Sequence, residues 1–250
     1  EALFRGKSDF NEDIGYWDTS NVTNMEKLFE DASSFNQNIN SWDVSKVESL
    51  YKTFSYALAF NQPLNNWDVS NVTSLSITFF YASNFNQPLD NWDVGNVASL
   101  DRTFSHAFSF NQPLNSWDVG NVLYFSETFR RAVSFDQPLS NWDTGSGSDF
   151  HMMFYMAEIF NQPIGGWDMS MATDTGRMFQ LAEDFNQDIS SWNTGNIGDM
   201  EYMFRTAYSF DQDLSCWDVG KIDVEPTDFF RQTAHDDRAS SMPIWGTEGC

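Results

Sequence analysis

An acidic residue follows tryptophan at a fixed spacing along almost the whole chain: Asp18, Asp43, Asp68, Asp93, Asp118, Asp143, Asp168 and Asp218, with Asn193 in the one remaining place. Carboxylates in file could ligate cations, form a solvated acidic ridge, or accept hydrogen bonds that cap the next turn. If the copies lie about 4.8 Å apart, as neighbouring strands do, adjacent carboxylates repel by roughly 3–4 kcal/mol per pair at an effective dielectric near 20. Something must offset that repulsion. Asn193 keeps the acceptor oxygen and drops the charge, which favours hydrogen bonding. Calcium takes six to eight oxygens in a cage, which a single file does not supply, so Asp43, Asp68, Asp93 and Asp118 are weak metal candidates.

Other reactive types are sparse. His106, His151 and His235 occupy unrelated places in the pattern and make no ligand set. The carboxylates recur by register and do not converge as a glycosidase pair would, and no Ser or Cys nucleophile comes with its own base. The segment 145–148, Gly-Ser-Gly-Ser, lacks the lysine of a phosphate loop. No cofactor is implied. Cys216 stands just before the last in-register tryptophan and Cys250 ends the sequence, so the two could form a disulfide that pins the tail, or stay as thiols. Asn21-Val22-Thr23 and Asn71-Val72-Thr73 are glycosylation sequons, to be used only if the chain passes through a eukaryotic secretory pathway.

The elements that must position these residues repeat. Trp17, Trp42, Trp67, Trp92, Trp117, Trp142, Trp167, Trp192 and Trp217 fall 25 residues apart, and only Trp245 lies off the register. A fixed period of that size means one supersecondary unit stacked on copies of itself. Each copy opens on a turn such as Phe60-Asn-Gln-Pro63, where proline excludes a central strand. Trp42 and Val44 then alternate about Asp43, the period of a strand. Leu50, Phe54, Ala57 and Phe60 follow at the spacing of a short helix of about ten residues, with Ser, Thr or Asp before it as N-caps. The Phe29 column reads as phenylalanine down to Phe229, and the Asn36 and Gln37 columns read as amide ladders that satisfy turn backbone. The pattern frays where Gly147 and Ala172 replace valine and where Thr175-Gly176 interrupts the stripe. It frays again after Glu225-Pro226.

The phrases WDVSNVTSL, Phe-x-x-Ala and FNQPL, over residues 4–222, resemble the BspA-like surface-protein repeat found in mycoplasma lipoproteins, listerial surface proteins and proteins of algae and other protists. That resemblance implies a leucine-rich-repeat-type solenoid with a surface or adhesive role and no catalytic residues. The fold expected is therefore an α/β repeat solenoid, a right-handed leucine-rich-repeat-like stack of short parallel strands and short helices. Its expected boundaries are 1–224 for about nine repeats and 225–250 for a C-terminal cap with Trp245 as the plug.

A formal charge of −23 argues against nucleic acid and anionic membranes, both of which require a cationic face. No apolar run approaches the roughly 20 residues of a membrane-spanning helix. Phe4 stands in the register of Phe29, so the chain opens in mid-repeat, as a processed protein or a fragment would. Specific binding is sought where copies differ. Phe80 replaces the serine of the adjacent copies on the side of the helix away from the core, with Tyr56 and Tyr81 beside it and Phe108 and Tyr155 farther along. The function expected is a non-enzymatic scaffold, extracellular or at the cell surface, that binds protein or glycan or self-associates. The alternative is a peripheral subunit of a large complex, for instance in an organelle lumen. A hydrolase is the remote third.

Overall fold

The computed structural model describes residues 2–234 and 241–250. Each 25-residue copy lies directly on the one before it. Trp67 and Trp92 stack at 6.4 Å with parallel rings, Phe54 and Phe79 at 5.5 Å, and Phe60 and Phe85 at 5.9 Å. Three aromatic columns thus run the length of the stack and form its core, together with the buried Leu64, Val69, Val72, Leu75 and Ala82 of each such copy.

The strand-and-helix solenoid is overturned. Among the described residues there is no α-helix and no strand longer than a single bridge residue. The segment read as a helix is a chain of overlapping turns: Thr53, Ser55, Ala57 and Phe60 donate their N–H groups to the carbonyls of Leu50, Lys52, Phe54 and Ala57. The alternate N–H groups point along the stack, Lys52 to Ser76, Phe54 to Thr78 and Tyr56 to Phe80, at 3.2, 2.9 and 2.7 Å. Turns closing every third residue place Leu50, Phe54, Ala57 and Phe60 inward as well as a helix would, so the periodicity could not tell the two apart. A ten-residue helix is marginal alone, whereas the turn chain bonds every second N–H to the neighbouring copy.

That alternation requires left-handed backbone. Lys52 and Tyr56 have φ of 59° and 57°, and the same two columns are left-handed from Lys27 and Asp31 through Tyr202 and Thr206. None of these residues is glycine. Each costs roughly 1–2 kcal/mol against right-handed backbone, offset by the hydrogen bond that its N–H makes to the next copy.

The tryptophan segment is likewise two turns rather than a strand. Trp42 N–H closes on Ile39 O and Val47 N–H on Val44 O, with Asp43 at the corner between them. Parallel pairing occurs instead at one residue per copy, in the series Asn24, Ser49, Ser74, Ser99, Tyr124, Asp149, Asp174, Asp199. Tryptophan adds a second tie. The Trp67 indole N–H donates to Ile39 O, and the same bond recurs from Trp42 to Trp217. The asparagine column is a ladder: Asn36 Oδ1 accepts the N–H of Asn61 and the amide of Gln62, and Asp136 serves in the same way for Asn161 and Gln162.

The register does not break at Gly147 and Thr175-Gly176. Phe125 and Phe150 take the column held by leucine in earlier copies and stack at 5.0 Å. A Cβ on residue 147 would lie 2.6 Å from Phe150 Cζ and 2.9 Å from Phe125 Cε2, so glycine there makes room for the two rings. Met152 N–H still reaches Gly176 O at 2.9 Å.

The C-terminal end slips by one residue. Phe179 N–H bonds Met203 O, 24 residues on, but Phe204 N–H bonds Phe229 O, 25 residues on. Phe230, not Phe229, therefore continues the column: it stacks on Phe204 at 5.7 Å and 17°, while Phe229 stands edge-on to Phe204 at 87°. The tail then returns along the last copy, with Leu214 N–H on Ser241 O and Val219 N–H on Thr247 O. Cys216 and Cys250 form a disulfide with Cα atoms 4.8 Å apart, and Trp245 packs edge-on against Phe229 at 5.1 Å.

Two outcomes test this packing. Phe104→Ala should cost about 3–5 kcal/mol, with faster hydrogen exchange in the adjacent copies as well, because each copy is stabilised by its neighbours; loosening confined to residue 104 would contradict the stack. Gly147→Val should cost about 1–3 kcal/mol by overpacking and should be rescued in a Phe125→Leu, Phe150→Leu background. Denaturant midpoints across that mutant cycle would reveal additive effects if the three positions were independent.

Candidate binding surface

Two columns of the turn chain differ strongly from copy to copy. Inward positions barely change, whereas the series Glu26, Tyr51, Ser76, Asp101, Ser126, His151, Gly176, Glu201 never settles on one chemistry. Neither does the left-handed series Asp31, Tyr56, Tyr81, His106, Arg131, Met156, Leu181, Thr206. Most of these side chains are at least partly exposed on the turn chain, whereas His106 and Thr206 are buried.

Part of this surface is a groove of about 610 Å³. Its floor carries the hydroxyls of Ser74, Ser76, Ser99 and Ser126, and Tyr51 and Tyr124 also line it. Ser76 Oγ and Ser99 Oγ are 2.7 Å apart, and Ser74 Oγ donates to Ser76 Oγ at 3.1 Å. Asp101 and Asp149 reach the groove with their carboxyls pushed above the usual range, in both cases chiefly by burial. Asp149 Oδ1 accepts the His151 N–H, while the nearest partner of Asp101 is Arg102 at 3.6 Å. Arg102 is held elsewhere, on the buried Glu127 at 2.6 Å, which Arg130 also binds at 2.9 Å. Sequence reasoning passed over this groove because its serines and aspartates sit where helix N-caps were expected; the exchange of Ser99 for Tyr124 in one column was the available signal.

The structure brings together four of the five aromatic residues singled out from the sequence and adds one that was not. Tyr56, Tyr81 and His106 stack in a column at 4.8 and 4.0 Å. Phe80 stands edge-on to all three, and Phe108 edge-on to Tyr81 and His106. Phe80 is half-buried in this cluster and is not a free-standing anchor; Tyr56 is 39% exposed. Tyr155 lies apart, under the Arg130 guanidinium at 5.4 Å.

The aspartates that follow tryptophan have a local task. Asp43 Oδ1 accepts both the N–H and the hydroxyl of Ser45, as Asp18 and Asp68 do from Ser20 and Ser70. Asp93 and Asp118 accept the N–H of Gly95 and Gly120. The serine hydroxyl, then the backbone N–H, holds Asp18 and Asp43 below the usual carboxylate range. Asn193 makes the corresponding bond to Gly195 N–H at 3.4 Å. Among the described residues no three His, Cys, Asp or Glu side chains converge to hold a metal ion. Asn21 and Asn71 are exposed, Asn71 with its amide on Ser45 O. His235 lies outside the described residues.

A family model described as "Mycoplasma protein of unknown function, DUF285" matches residues 1–76, 59–162 and 139–241. The chain belongs to this family. Three tandem matches agree with the repeat that the tryptophans mark in this DUF285 chain. No curated protein and no solved structure matches it. Among its described residues no helix is long and apolar enough to cross a membrane.

His106 gives the stability of the fold a pH dependence. Burial, reinforced by Arg130 and Arg131, lowers its pKa to about 4, and Ser105 Oγ lies 3.0 Å from Nδ1. The unfolded side chain takes up its proton near 6.5, so its contribution is complete above that pH and is lost as pH falls from 6.5 towards 4. His106→Phe should keep the ring stack and flatten that loss, read as the difference between variant and parent denaturation midpoints at pH 7 and 4.5. An imidazole that titrates near 6.5 by NMR would refute the assignment.

Proposed function

We propose that this DUF285 chain is a non-enzymatic repeat scaffold, secreted or displayed at the cell surface, that binds a protein or glycan partner through its variable face. One observation carries the reading. Many of the side chains that vary from copy to copy are at least partly exposed, on a backbone whose hydrogen bonds recur copy after copy, so chemistry changes over a fixed frame. Loop positions held by a rigid scaffold are where binding residues collect, and stacked repeats offer them as an extended surface. The likeness of WDVSNVTSL and FNQPL to BspA-like surface repeats supports the surface setting. The aspartates beside tryptophan, uniform and engaged with their own turns, offer long-range attraction to basic partners and little selectivity.

Immobilised parent protein screened against extracellular proteins and glycans provides the test. A Tyr56→Ser, Phe80→Ser, Tyr124→Ser variant, the last two changes taking the serine of an adjoining copy, should lose at least about tenfold in affinity for whatever the parent retains. Asp68→Asn, Asp93→Asn, Asp118→Asn should retain it. The reverse pattern would move the site to the acidic file and defeat the proposal.

A further inference from the structure

The groove between Tyr51 and Tyr124 has a chemistry of its own, and an inference about it rests on the reading of this face as a binding surface. Its volume of about 610 Å³ is in the range of ligand sites, and it is lined by hydroxyls, carboxylates and rings in proportions that suit few ligands. Phosphates are disfavoured: the cation present, Arg102, is already bound to Glu127. Apolar ligands would bury the serine hydroxyls and Asp101 without partners, at about 1–3 kcal/mol each. Cationic peptides would meet two carboxylates but also Arg102 and, at the Tyr51 end, Lys27 and Lys52, whose ammonium groups lie 5.7 and 5.5 Å from that ring.

We infer that this groove binds a neutral oligosaccharide, with Tyr124 as the stacking platform and Asp101 as acceptor for a pair of sugar hydroxyls. Tyr124 is 48% exposed and interrupts a column that is serine at positions 49, 74 and 99. A pyranose ring presents a C–H face that packs on an aromatic ring as apolar surface does. Among the described residues no N–H or O–H of the protein donates a hydrogen bond to the Asp101 carboxylate; only Arg102, at 3.6 Å, is near. Its partial burial strengthens any hydroxyl that donates to it. The Ser76–Ser99 hydroxyl pair can turn to donate or accept. Successive copies advance by about 4.8 Å, close to one sugar residue along an extended chain, so neighbouring serines meet neighbouring sugars.

Calorimetric titration of the full chain with maltohexaose, cellohexaose, mannohexaose and chitohexaose, and with oligolysine as the rival, tests this. One of the sugars should bind, with affinity about tenfold lower in Tyr124→Ser and several-fold lower in Asp101→Asn. Tyr16→Ser, which removes an exposed ring outside the groove lining, should leave it unchanged, and both groove variants should keep the parent's melting midpoint. Binding of oligolysine alone, or of a sugar indifferent to Tyr124→Ser and Asp101→Asn, overturns the inference. Partner capture lost in Phe80→Ser, with no sugar bound, overturns it too while leaving the binding-face reading standing.

Discussion

One hydrogen bond fixes the repeat length. From Trp42 to Trp217 the indole N–H reaches the carbonyl 28 residues back, at 2.9–3.1 Å, in every copy. That carbonyl already closes its own turn: Ile39 O takes Trp42 N–H from within the copy and the Trp67 indole from the next. A single buried oxygen thus joins local turn closure to stacking. An added or lost residue would leave the indole N–H without its acceptor, at about 1–3 kcal/mol, and would displace the asparagine ladder as well. The slip by one residue is found only beyond Trp217, where no further indole must be matched.

The rest of the backbone follows the same economy. In the turn chain odd and even N–H groups divide between the copy itself and its neighbour, so no segment is satisfied alone. Buried threonines such as Thr53 and Thr78 extend this, each bonding a carbonyl of its own turn and one of the previous copy. Left-handed backbone at two residues per copy is the cost of that arrangement, and the aromatic columns supply the burial that sustains it.

The period, the core columns and the amide ladder were legible in the sequence, because tryptophan, phenylalanine and asparagine at fixed spacing admit few other roles. The local backbone was not. Turns of three residues and helical turns of 3.6 bring the same side chains inward, and the left-handed sites carry Lys52, Tyr81, Arg102 and even the β-branched Ile77 in place of the glycine or asparagine that would have marked them. Adjacent Phe229 and Phe230 hid the terminal slip, since either fits the column. Of the candidate surface, the aromatic cluster was visible through Phe80, which stands between Ser55 and Ser105 in its column. The groove was not, because Ser74 and Ser99 looked like caps and the burial of Asp101 depends on its neighbours in space.

The constancy of the 25-residue register also bears on how such a chain changes over generations. Because each copy presents its neighbour with the same ladders, excision or duplication of one whole unit between Trp42 and Trp192 rejoins indole to carbonyl and asparagine to asparagine. Exchange of whole units would therefore yield proteins of different length that share one core. What such an event alters is the order of side chains along the outer face: removing a single unit would bring Tyr56 next to His106, or Ser74 next to Tyr124. Unit-by-unit exchange at the DNA level thus becomes a means of reshuffling a surface without disturbing the frame beneath it.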